Sequence, residues 1–123
     1  DAQESRGLGD VYKRQTSTRT RATNGRRSAN AVISVAPRFN VTQDGTTLNV
    51  YHAAAGEGLP KHSHTFSHLT MCHAGSIKVS NERRSLVMTK DTQPVNLVAN
   101  EWHEIEALED GTVFVNVFAE GKY

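Results

Sequence analysis

Gly56-Glu57-Gly58-Leu59-Pro60-Lys61-His62-Ser63-His64-Thr65-Phe66-Ser67-His68-Leu69-Thr70-Met71-Cys72-His73-Ala74-Gly75 is the stretch that decides the reading of this chain. Three histidines, His62, His64 and His68, fall within seven positions. Gly56, Gly58 and Pro60 mark a loop ahead of them. A strand starting at His62 and running to His64 would put both imidazoles on one face, because strand side chains alternate with period two. The connection from His64 to His68 lets His68 return to that face on the neighbouring strand. Phe66 to His73 reads as that strand, closed by Ala74-Gly75.

Outward from this stretch the texture is the same on both sides. Ala31–Val35 is a β-branched run. Phe39 and Val41 lead to Asp44-Gly45, a hairpin turn signal, and Thr46–His52 returns. On the other side come Ser76–Ser80, a turn at Asn81-Glu82, Ser85–Thr89 and a loop at Lys90-Asp91. Val95–Ala99 and Trp102–Ala107 follow. Glu109-Asp110-Gly111 turns into Thr112–Phe118. Eight to ten short strands with turn residues between them predict an all-β sandwich or barrel. Helical periodicity and internal repeats are absent from the pattern.

His103 is the sequence-distant member of the cluster, and a distant ligand joining a local one would close a metal site in a β-barrel. Neutral imidazole suits Zn, Fe, Ni and Cu, and Mn in mixed sites. Four imidazoles leave the charge of a divalent ion uncompensated, so it would be a strong Lewis acid toward water or a substrate oxygen. Octahedral geometry would leave two open positions. Tetrahedral geometry would leave none, and the metal would then be structural. Surface histidines also cluster by chance, and H-x-H alone is a weak signal.

The totals are those of an ordinary one-domain protein of 123 residues with net charge +1. No apolar run approaches the roughly 20 residues needed to span a bilayer. Cys72 is the single cysteine, so no internal disulfide forms. With no apolar secretory stretch at the start, the expectation is a soluble protein of a reducing compartment, the cytoplasm. The charge is uneven. Residues 1–30 hold seven basic and three acidic side chains, and residues 31–123 hold seven basic and ten acidic. The mildly acidic part argues against nucleic acid as partner. Residues 1–30 carry almost no large apolar side chains and read as a disordered tail beside a folded domain at 31–123. Within that tail Asp10-Val11-Tyr12-Lys13-Arg14-Gln15 resembles a translated sequencing adapter, and Thr16–Asn30 reads as sequence of doubtful frame.

The chain resembles the cupin superfamily, in its small single-domain form. The first cupin motif is G-x(5)-H-x-H-x(3,4)-E-x(6)-G. Gly56, His62, His64, His68 and Gly75 match every spacing, with His68 where the family usually has glutamate. The second motif, G-x(5)-P-x-G-x(2)-H-x(3)-N, survives in His103. Thr92, Val98, Asn100 and Ala107 stand at its Gly, Pro, Gly and Asn positions. The resemblance covers about residues 31–120. It implies a double-stranded β-helix, or jelly-roll barrel, with one divalent ion (Zn, Mn, Fe, Ni or Cu) on His62, His64, His68 and His103. It also implies a small-molecule ligand and a homodimer in which the Ala31–Val35 strand joins the partner's sheet.

Other residues have weaker claims. Thr70 and Cys72 follow His68 with period two and should face the interior, where they and Tyr51 are the candidates for substrate contact. The simpler reading of Cys72 is a small buried apolar side chain, and that of Tyr51 and His52 is ordinary strand packing. His73 should point away from the metal. Trp102 reads as core or interface packing, and Glu101 as a possible orienting acceptor for an imidazole or a solvated acid. Three functions stay open. One is a metal-dependent enzyme, dioxygenase-like, an isomerase or a lyase, acting on a small oxygenated molecule. Another is a non-catalytic metal and ligand-binding module. The third is a purely structural metal.

Overall fold

The computed structural model describes residues 31–122. The readings made on residues 1–30, the disordered tail and the adapter-like stretch, lie outside the described residues. Ten strands follow one another: β1 (Ile33–Ser34), β2 (Phe39–Gln43), β3 (Thr46–Ala53), β4 (Glu57–His62), β5 (His68–Ala74), β6 (Ile77–Asn81), β7 (Ser85–Met88), β8 (Val95–Leu97), β9 (His103–Ala107) and β10 (Thr112–Ala119). They form two five-stranded sheets, ordered β1-β4-β9-β6-β7 and β2-β3-β10-β5-β8. Apart from the hairpins β2–β3 and β6–β7, successive strands alternate between the sheets. That winding is the double-stranded β-helix that the cupin resemblance implies, and it narrows the sandwich or barrel that the spacing of turns and strands predicts.

The alternation along β10 shows why these residues form this barrel. Thr112, Phe114, Asn116 and Phe118 are buried, while Val113, Val115 and Val117 cover the other face at intermediate exposure. β-Branched side chains suit such a half-covered pleated surface. Phe114 stacks on Tyr51, with ring centroids 4.7 Å apart. Ile77, Met88 and Ile105 complete the fully buried core.

Register sorts the inner face of the second sheet into rows. Phe114 stands opposite Tyr51 on one side and Cys72 on the other. The next row runs Asn49, Asn116, Thr70, Val95. Beyond it His68 lies opposite Leu97. In the first sheet His103 stands between His62 and Asn81, and Ile105 between Leu59 and Val79.

Three expectations need correction. Gly58 and Pro60 lie inside β4 rather than in a loop. The Ile105 carbonyl oxygen approaches Gly58 so closely that a β-carbon would overlap it, so glycine here marks close packing of two backbones and not a turn. His62 ends a strand instead of starting one, and His64 lies with Phe66 in the connection to β5. Finally, β1 pairs in parallel with β4 of its own chain, Ile33 opposite Glu57.

Candidate metal centre

A β-bulge brings His62 into the barrel. His103 pairs with His62 and Ile105 with Leu59, so Pro60 and Lys61 together oppose the single Glu104. In an unbroken strand Leu59 and Lys61 would share the inner face and His62 would point outward. The extra residue resets that alternation, as bulges beside functional sites commonly do. Pro60 suits the position because it has no N–H to withhold from the ladder. Its carbonyl accepts from His62 Nδ1 at 2.6 Å.

His64 is held differently. Its Nδ1 donates to the Phe66 carbonyl at 2.7 Å, and its ring stacks on Phe66 with centroids 4.2 Å apart. The connection that carries it is stitched to the segment before β9. Asn100 N–H donates to the His64 carbonyl at 2.7 Å, and Ala99 N–H donates to Ser67 Oγ at 3.2 Å. Asn100 adopts φ of +69°. It occupies a glycine position of the second cupin motif, and asparagine is among the few other residues that tolerate this conformation. The degenerate motif therefore keeps its backbone shape.

His103 and His68 head β9 and β5, and both are buried. The ligand atoms of His62, His64 and His103 all lie within 4.8 Å of one another. His68 stands beside this triad, its ring centroid 5.1 Å from that of His64 and 5.4 Å from that of His103. A carbonyl can only accept, so Nδ1 of His62 and of His64 carries the proton and Nε2 keeps its lone pair. That is the tautomer a metal needs, fixed in the way metal-ligating imidazoles usually are.

The electrostatics agree. The pKa values of His68 and His103 are both lowered to about 4. Burial is the main cause for both; at His68 the Leu69 carbonyl opposes it more than either neighbouring histidine adds to it, while at His103 the neighbouring histidines add more than the Glu101 carbonyl takes away. Neutral imidazole, the ligand form, is thus favoured. His62 Nε2 is buried without a hydrogen-bond partner, and the Glu101 backbone carbonyl can engage only one of the two buried ring nitrogens of His103. A buried polar atom left so costs about 1–3 kcal/mol. A divalent ion would use these lone pairs, and the donor set fits one.

The remaining expected residues are placed as follows. Tyr51 is buried, and its hydroxyl accepts from Asn49 Nδ2 at 3.3 Å. Thr70 is fully buried, its Oγ1 donating to Asn116 Oδ1 at 2.7 Å. Cys72 is buried, and burial pushes its thiol pKa up, which suits a packing role more than a nucleophile. His52 and His73 are exposed. The Glu101 carboxylate pairs with Arg83 at 3.3 Å and not with an imidazole. Trp102 lies under Lys61, whose ammonium is 4.3 Å from the ring centroid, rather than in the core. Asn116 and the ring of Phe118, 6.4 Å from that of His68, were missed. Period two along β10 was the available signal, since it puts Asn116 among inward-facing aromatics.

Similarity to solved structures follows the same lines. A cupin-2 domain protein from Shewanella frigidimarina superimposes with a TM-score of 0.58 at 8% identity, over 69% of this chain and 80% of that one. KdgF from Halomonas sp. gives 0.58 at 14% identity, over 64% and 73%. A cupin protein from Bacteroides fragilis gives 0.55 at 18% identity, over 79% and 90%. No protein-family profile and no curated protein matches the chain. The chain therefore has the cupin fold, and its histidine triad fits a metal-binding barrel of that kind. Among the described residues no helix is long and apolar enough to cross a membrane.

Proposed function

We propose that this protein holds one divalent transition-metal ion (Zn, Mn, Fe, Ni or Cu) on His62, His64, His68 and His103 and uses it to bind a small oxygenated organic molecule. The observation that carries the reading is the triad itself. Three imidazoles converge within 4.8 Å, and two of them are locked by backbone carbonyls in the Nδ1–H tautomer. Such an ion would supply a Lewis-acidic position for an oxygen of the bound molecule. Phe66 and Phe118 form an apolar wall beside His64 and His68. Tyr51, Thr70 and Cys72 lie deeper and would form the floor. As a working assignment the protein is cytoplasmic and dimeric, and acts as an oxygenase, isomerase or lyase.

One observation favours a second reading, a binding module without turnover. Among the described residues the buried polar set is Thr47, Asn49, His68, Thr70, His103, Thr112 and Asn116. It contains no carboxylate to serve as general base. Cobalt(II) loading of the full chain, followed by visible absorption with and without acetylacetone, tests the shared core of both readings. A spectrum shifted by the diketone is the expected result. An unshifted spectrum would mean a saturated, structural metal. Turnover of the same ligand class then separates enzyme from module.

A further inference from the structure

His68 differs from the other three histidines in what holds it. Its Nδ1 lies 3.3 Å from the Leu69 carbonyl and 3.2 Å from Thr70 Oγ1. The carbonyl can only accept, so Nδ1 carries the proton. Thr70 Oγ1 then receives from Nδ1 and spends its own proton elsewhere, on Asn116 Oδ1 at 2.7 Å. The Leu69 carbonyl thus sets the direction of the whole chain of bonds. Asn116 is fully buried, and its Nδ2 has no hydrogen-bond partner. An amide held this way presents its oxygen to Thr70 at the expense of its nitrogen, which an apolar residue in the same place would avoid.

We propose that Thr70 and Asn116 are positioning residues for the fourth metal ligand. The Asn116–Thr70 pair fixes His68 in its Nδ1–H tautomer and delivers Nε2 to the ion held by His62, His64 and His103. This rests on the four-histidine site proposed above. The pair does for His68 what the Pro60 and Phe66 carbonyls do for His62 and His64. The difference is that two side chains share this task with a backbone carbonyl, that of Leu69.

The test uses the full-length, nitrogen-15-labelled protein and zinc. Long-range proton–nitrogen correlation spectra of the parent should show His68 as the Nδ1–H tautomer. Thr70→Val keeps the shape and removes the hydroxyl. It should lose that signature and bind zinc about ten-fold or more weakly in a chelator competition. Thr70→Ser should restore both. An Nε2–H tautomer for His68 in the parent would overturn the proposal without any variant. So would a Thr70→Val protein that matches the parent in tautomer and affinity. His68→Ala separates the two layers. If it binds zinc as tightly as the parent, the four-histidine site itself fails; if it binds more weakly while Thr70→Val does not, only the positioning pair fails.

Discussion

The two sheets meet the histidine cluster with opposite chemistry. Behind His103, the first sheet turns apolar at once, with Ile105 flanked by Leu59 and Val79. Behind His68, the second sheet stays polar for a further row of Asn49, Asn116 and Thr70. The first sheet offers the His103 imidazole no side-chain partner beyond the other histidines, only the Glu101 backbone carbonyl, whereas the second sets side chains behind His68. Ligand position on the first sheet is a matter of backbone geometry, through the bulge at Pro60-Lys61. On the second, side-chain hydrogen bonds join a backbone carbonyl in that task.

The largest expected effect breaks the site from the first sheet. Structural zinc binding is worth about 10–16 kcal/mol over four ligands, so His103→Ala should cost roughly 3 kcal/mol, about a hundred-fold in affinity. A chelator competition measures it, and His68→Ala should lose less, since it stands outside the triad. Next, Gly58→Ala should destabilise the fold by about 2–3 kcal/mol in urea denaturation, because the new methyl meets the Ile105 carbonyl. Gly45→Ala is the contrast. No atom lies within 4 Å, but φ is +83°, so only the backbone cost of about 1 kcal/mol applies.

Acid tests both sheets together. His68 and His103 have folded-state values lowered to about 4 from an ordinary 6.5. The unfolded chain takes up these protons first as the pH falls. The stability that the neutral imidazoles contribute is thus complete above about pH 6.5 and lost progressively toward pH 4. Thermal melts of chelator-treated protein at pH 7.5 and pH 5 should show the lower midpoint at pH 5. Smallest of all, Lys78→Ala should change stability by less than about 0.5 kcal/mol. Its ion pair with Glu106, at 3.6 Å, lies on the exposed outer face.

The fold was legible because turn residues and β-branched runs recur along the chain: Asp44-Gly45 closes the β2–β3 hairpin, and Glu109-Asp110-Gly111 marks the step from β9 in one sheet to β10 in the other. The histidines were legible by spacing. What spacing could not show is why they converge. His62 and His64 share a face in a continuous strand, yet His62 ends β4 and His64 lies in a connection. Their convergence depends on a bulge defined against β9, some forty residues along the chain, and on Asn100 joining the two loops. Asn116 was hidden for a related reason. Its partner Thr70 is 46 residues away, and only cross-strand register brings the two together.

Metal content of the full-length protein by inductively coupled plasma mass spectrometry, beside a His62→Ala/His64→Ala variant, tests the central claim most directly. The expected result is about one equivalent of a transition metal in the parent and none in the variant. An absence of metal in the parent after reconstitution with each candidate ion, or equal metal in both proteins, would contradict the account.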